Sequence, residues 1–135
     1  MIFLDSWIWI EYFSDGEKLK ESTEILEDIT IEQGGVISTM VLTEVKYRIA
    51  KKFDVTKADW VITLIENFSN IKIIPVTKEI AKLSANLRLK YCNKTRNISY
   101  GGCINLATAL LTSCKTFYSG DPDFKGIEEI KTVIV

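Results

Sequence analysis

At 135 residues, with 47% hydrophobic and 26% charged side chains and only 7 Gly and 2 Pro, the chain has the composition of one packed domain and not of a disordered or fibrous protein. Its net charge of −1, from 17 basic and 18 acidic residues, leaves no global positive field, so any affinity for nucleic acid has to come from a local patch. The sequence contains no histidine, which excludes Ser-His-Asp and Cys-His triads and leaves carboxylates, hydroxyls, lysines or a metal to carry any chemistry.

Cys92, Cys103 and Cys114 lack CxxC spacing and have no histidine to complete a zinc set, so buried reduced thiols are expected. On one continuous helix, Cys103 and Cys114 would share a face about three turns apart, too far to bridge. The most apolar stretches, 1–4 and 104–111, are far shorter than the ~20 residues that cross a bilayer. The opening Met-Ile-Phe-Leu-Asp lacks the basic segment and cleavage site of a signal peptide. A cytoplasmic location without a membrane partner is therefore the expectation.

In chain order, residues 1–4 read as a buried strand ending at Asp5, and Ser6 is placed to cap a helix carrying Trp7, Ile8, Ile10 and Phe13. After a turn at Ser14-Asp15-Gly16, Leu19, Ile25, Leu26 and Ile29 recur at helical spacing until Gly34-Gly35 stops the pattern. Val36-Ile37-Ser38 reads as a brief strand. Thr39 then opens a helix with the apolar stripe Val41, Leu42, Val45 and Ile49, and Glu44 rides on that helix. Thr56 is expected to cap an amphipathic stretch through Trp60, Val61, Leu64, Ile65 and Phe68, followed by a strand over 71–76 that Pro75 interrupts. Thr77 caps a helix running to about Tyr91, 93–97 is a polar loop with Lys94 and Arg96, and an apolar helix covers 99–113. Residues 115–119 are strand-like, Gly120-Asp121-Pro122-Asp123 is a turn, and 132–135 is a terminal β-branched run.

Strands alternating with helices predict a three-layer α/β/α domain spanning 1–135 around a mostly parallel sheet. Ligands of such sheets bind outside the carboxyl ends of the strands, where both Asp5 and Asp121 fall. A lone Asp at a strand end is ordinarily a cap or turn residue. It is the order of several such features along the chain that carries weight.

The runs Ile2-Phe3-Leu4-Asp5-Ser6, Ser38-Thr39-Met40-Val41-Leu42-Thr43-Glu44-Val45, Ile98-Ser99-Tyr100 through Ala107-Thr108-Ala109, and Phe117-Tyr118-Ser119-Gly120-Asp121-Pro122-Asp123-Phe124 together resemble the PIN domain, and particularly the VapC toxin ribonucleases. The resemblance implies a nuclease in which carboxylates hold one or two Mg²⁺ or Mn²⁺ ions and a metal-activated water attacks an RNA phosphodiester. It also implies a homodimer and an antitoxin partner. Asp5, Glu44 and Asp121 match the family's first, second and fourth acids as catalytic and metal-binding residues, with Asp123 an auxiliary ligand and Ser6 and Ser119 orienting hydroxyls. Where the family has its third acid this chain has Gly102.

Glycine is unfavourable in a helix, by about 1 kcal/mol relative to Ala, whereas Asp suits a helix's first turn. Nothing local in the sequence asks for Gly102, so the favoured expectation is a lost ligand with weaker metal binding and slower cleavage. The alternatives are a close backbone approach at Gly101-Gly102 and, at the level of function, a weakened domain that binds RNA or protein. An aspartyl nucleophile at Asp5 or Asp121 ranks below both. Asn105 is read as a capping or surface residue, or as a contact to a water near the site. Lys46 and Arg48 are the candidate phosphate contacts, weighed against a merely solvated helix face. Trp7 and Trp9, two apart, cannot share a helix face, so one is expected to reach a surface, as a dimer or antitoxin contact.

Overall fold

The computed structural model describes residues 1–31 and 33–135, with Thr30 by its backbone alone. In chain order it runs β1 (Ile2–Leu4), α1 (Ser6–Phe13), α2 (Leu19–Ile31), β2 (Gly35–Ser38), α3 (Thr39–Lys52), α4 (Val55–Glu66), β3 (Ile71–Ile74), α5 (Lys78–Tyr91), α6 (Tyr100–Leu111), β4 (Thr116–Ser119), a 3₁₀ turn at Pro122–Phe124, and β5 (Lys131–Ile134). The strands form one sheet in the order β3-β2-β1-β4-β5, and every pairing among the described residues is parallel, where the sequence suggested only mostly parallel. Parallel strands need crossover segments that cover the sheet, which is why the helices lie on both faces and complete three layers.

The central strands read as unbroken apolar runs because both their faces are covered: Ile2, Phe3 and Leu4 of β1 and all four residues of β2 are buried. Phe3 pairs in register with Phe117 of β4, and their rings stack 5.1 Å apart. Fully burying each such side chain contributes roughly 1.5–3 kcal/mol. The chain builds outward from β1 through β2 to β3, then returns to the other side of β1 with β4 and β5. The order therefore reverses between β1 and β4, and the crevice at the carboxyl ends of those two strands is the natural binding position.

Several local expectations change. The residue preceding α1 is Asp5 and not Ser6, and its side chain makes no capping bond, because its oxygens are engaged elsewhere. Helix α4 is capped by Asp54, whose Oδ1 accepts from the Lys57 N–H at 2.7 Å, so Thr56 lies within the first turn and is not the cap. Phe68 falls beyond that helix and Trp60 is 58% exposed, off the buried stripe. Ser38, last in β2, caps α3 by accepting from the Val41 N–H at 3.3 Å. Gly35 belongs to β2 itself, paired with Ile2 and Ile71, and a Cβ there would stand 2.5 Å from Ile71 Cδ1. Helix α6 ends at Leu111, so Cys114 lies outside it and shares no helix face with Cys103; both thiols are free and buried.

Candidate active site

The two acids at the switch point come from the ends of adjacent strands. Asp5 follows β1, anchored by its N–H to the Tyr118 carbonyl at 3.0 Å, and Asp121 follows β4. Glu44 reaches the same place from α3, and Asn105 from α6. Together with Ser6, Trp7, Glu11, Arg48, Ser99, Gly102 and Phe124, the acids line an open cleft of about 610 Å³.

Asp5 is only 7% exposed, and both of its oxygens are held. Ser119 Oγ donates to Oδ2 at 2.7 Å and Asn105 Nδ2 to Oδ1 at 3.0 Å. The same Asn105 nitrogen donates to Glu44 Oε1 at 2.9 Å, and the Ser6 side chain lies beside Glu44 and favours its charged form. One amide thus joins two carboxylates. Burial pushes the Asp5 carboxyl above its ordinary value and outweighs its hydrogen bonds, with the Asp121 charge adding to the rise. Burial, and then the charge of Asp5, push Glu44 up to about 6 against the pull of Asn105, Ser6 and Arg48. Burial leads both shifts, and repulsion between the carboxylates adds to them.

Asp121 is fixed from behind. Its N–H donates to Ser119 Oγ at 3.1 Å, and its Oδ1 accepts from the Asp123 N–H at 2.9 Å, capping the 3₁₀ turn. Asp123 itself is not among the cleft-lining residues, and its backbone is what orients Asp121. Among the described residues no three Asp, Glu, His or Cys side chains converge as a ready metal cluster, so Asp5 and Glu44 are the pair that could hold a cation together.

Gly102 does have a local reason, contrary to the sequence reading. A Cβ there would stand 2.9 Å from Ile98 Cγ2, 3.0 Å from the ring tip of Phe124 and 3.2 Å from Ser99 Oγ. Phe124 is buried against Phe117 at 4.8 Å between ring centroids and fills the space a side chain at 102 would take. The close-approach alternative therefore describes the packing of this chain.

Of the basic pair, Arg48 lines the cleft, whereas Lys46 forms an exposed ion pair with Asp59 of α4 at 3.1 Å. Trp9 is fully buried, while Trp7 lies against Gly120 in the cleft wall, so the tryptophan that reaches out faces the site. Sequence reasoning undervalued Asn105, which is fully buried at the centre of the network. The available signal was a polar residue inside the apolar run Cys103-Ile104-Asn105-Leu106-Ala107, since a buried amide needs partners. Glu11, on the cleft rim, carried no signal of its own.

A family model for the PIN domain matches residues 2–130. The chain belongs to the PIN domain family. Among solved structures, the PIN domain here superposes on Mycobacterium tuberculosis VapC20, a Sarcin-Ricin loop cleaving toxin, with TM-score 0.79 and 16% identity over 97% of this chain and 99% of that one. Rickettsia felis VapBC2 bound to a promoter DNA fragment gives TM-score 0.77 and 19% identity over 99% and 98% of the two chains. A toxin-antitoxin complex from Klebsiella pneumoniae gives 0.71 and 24% over 100% of both. These likenesses establish the shared fold. A search of curated protein sequences finds no match. No helix among the described residues is long and apolar enough to cross a membrane.

Proposed function

We propose that this PIN domain is a metal-dependent endoribonuclease of the VapC toxin type. The observation that carries the reading is the pair Asp5 and Glu44, held on one buried amide at the carboxyl ends of β1 and β2–α3, in an open cleft at the sheet's switch point. Family membership supports it, as does the fold shared with a toxin that cleaves the sarcin-ricin loop.

The donor set suits a hard divalent cation. It consists of oxygens, it is partly buried, and its raised proton affinities mark an unmet demand for positive charge. Asp5 and Glu44 would hold Mg²⁺ or Mn²⁺, with Asp121 beside them and Asp123 acting through its backbone. When bound, such an ion supplies an activated water and neutralises charge developing on the phosphodiester. Ser119 and Ser6 keep the two carboxylates turned inward, Arg48 is placed to meet a backbone phosphate, and Trp7 offers a face for an unpaired base. An antitoxin partner, a homodimer and a cytoplasmic setting complete the proposal. The toxin-antitoxin complexes that share the fold support the antitoxin partner, while the homodimer and the cytoplasmic setting follow only from the reading as a VapC-type toxin.

The second reading is a weakened domain that binds RNA or protein without cutting, favoured by Gly102 and the packing of Phe124 into its place. The experiment compares Mn²⁺- and Mg²⁺-dependent cleavage of structured RNA by the unaltered chain, Gly102→Asp with Phe124→Leu, and that double variant with Asp5→Asn added. Cleavage by the first two and none by the third supports the nuclease. Cleavage by the second alone makes this chain a nuclease disabled at one ligand, and no cleavage by any across several RNAs favours the binding module.

A further inference from the structure

Asn105 sits three residues past Gly102 on α6, about one turn along the same helix face. Its amide is anchored at both ends: Nδ2 donates to Asp5 Oδ1 and Glu44 Oε1, and Oδ1 accepts from the Ser38 hydroxyl at 2.5 Å. Ionised carboxylates only accept, so with both charged and no cation present the NH₂ faces them while the Ser38 hydroxyl donates to the amide carbonyl. A cation between the carboxylates reverses that preference, because it repels N–H and attracts a carbonyl oxygen.

The spacing suits the exchange. Ligands about 2.1 Å from an octahedral ion have neighbouring oxygens about 3.0 Å apart. The amide nitrogen lies 3.0 Å from the Asp5 oxygen and 2.9 Å from the Glu44 oxygen. A half-turn of the amide about its terminal torsion brings Oδ1 to that place with the backbone unmoved. It also hands Nδ2 to Ser38 Oγ, whose lone pairs can accept it alongside the Val41 N–H.

We propose that Asn105 has two settings: without a cation its nitrogen ties Asp5 to Glu44, and on binding a divalent cation the amide turns over so that Oδ1 becomes the third oxygen ligand, in place of the carboxylate absent at Gly102. The inference rests on the cation reading above and adds the ligand this chain uses. The substitute is neutral, so the set carries one negative charge fewer than three carboxylates would. Affinity should therefore rise when Asn105 is made acidic.

The test follows the Asn105 side-chain amide by NMR in the full-length, ¹⁵N-labelled chain during Mg²⁺ titration, with Mn²⁺ affinity measured by the EPR signal of the free ion. The Asn105 NH₂ resonances are expected to move as their acceptors change from carboxylates to a hydroxyl. Asn105→Leu is expected to weaken Mn²⁺ binding by at least the roughly 10-fold that losing a metal-site partner typically costs, and Asn105→Asp to restore or exceed the original affinity. An Asn105 amide that stays fixed at saturating Mg²⁺ overturns the proposal even if the Leu variant does not fold. Asp5→Asn separates the two levels. Should it lose Mn²⁺ binding while Asn105→Leu keeps it, the inference alone fails; should Asp5→Asn bind as tightly as the unaltered chain, the cation reading fails with it.

Discussion

Two polar clusters in this molecule handle carboxylates in opposite ways. Beside the switch point, Asp5 and Glu44 are held by neutral donors, the Asn105 amide and the Ser119 hydroxyl, and both have raised proton affinity. Near the far end of α5, Glu128 and Glu129 meet Lys90 at 2.9 and 3.2 Å, and the Tyr91 hydroxyl donates to Glu129 at 2.5 Å. There burial also pulls Glu129 upward, but the bonds from Tyr91 and Lys90 outweigh it and the carboxyl ends below its ordinary value. The exposed cluster is satisfied within the chain. The cleft cluster holds its carboxylates in place without neutralising them, which is what the proposed cation site requires.

The sharpest way to break this contrast is Asn105→Leu. It removes the shared donor from one buried and one half-buried acceptor and should destabilise the cation-free chain by roughly 1–3 kcal/mol, measured by urea unfolding at pH 7.5. Lys90→Ala, at the exposed cluster, should leave the urea midpoint unchanged within error, because water replaces a surface partner. Equal losses from the two variants would remove the distinction between the clusters.

Next in size, Gly102→Asp should cost about 1–3 kcal/mol through crowding of Ile98 and Phe124, and Phe124→Leu in the same chain should recover part of it. A destabilisation that Phe124→Leu does not relieve would mean the added charge, and not the ring, is the obstacle.

The pH dependence comes third. With Glu44 at about 6 against an ordinary 4.5, and Asp5 also raised, the folded chain holds protons that the unfolded chain releases. The stability Glu44 gives is fully present below about pH 4.5 and is lost as pH rises through about 6, by at most about 2 kcal/mol and less after solvent screening, and Asp5 acts with the same sign. Glu129, shifted downward, has the reverse sign and favours the fold as pH rises. Thermal unfolding of the unaltered chain and Glu44→Gln from pH 4 to 8 isolates the first effect, since the variant should lose the decline attributable to Glu44. The smallest effect is at the surface: Asp54→Ala should cost about 1 kcal/mol by uncapping α4, and Thr56→Ala much less.

Much of this was legible beforehand. The apolar run at residues 2–4 and the helical stripe Val41, Val45 and Ile49 could be placed because burial imposes a period on the sequence, and Asp5 and Asp121 could be assigned to strand ends for the same reason. Caps were harder: Ser6, Thr56 and Asp54 all have the chemistry, and only the surrounding bonds choose among them. Asp5 shows why, since an acid placed like a cap spends its oxygens on Ser119 and Asn105, both more than ninety residues away in sequence.

The sequence by itself determined the alternation of strands and helices, the family, and the places of Asp5 and Asp121 at strand ends and of Glu44 on a helix, because those are written in local periodicity and in short ordered motifs. Only the tertiary structure decided that Lys46 turns to Asp59 while Arg48 faces the cleft, that Phe124 fills the space beside Gly102, and that Asn105 joins two carboxylates. The physical reason is that a side chain's role depends on partners brought together by the packing of distant segments, and no local pattern records those partners.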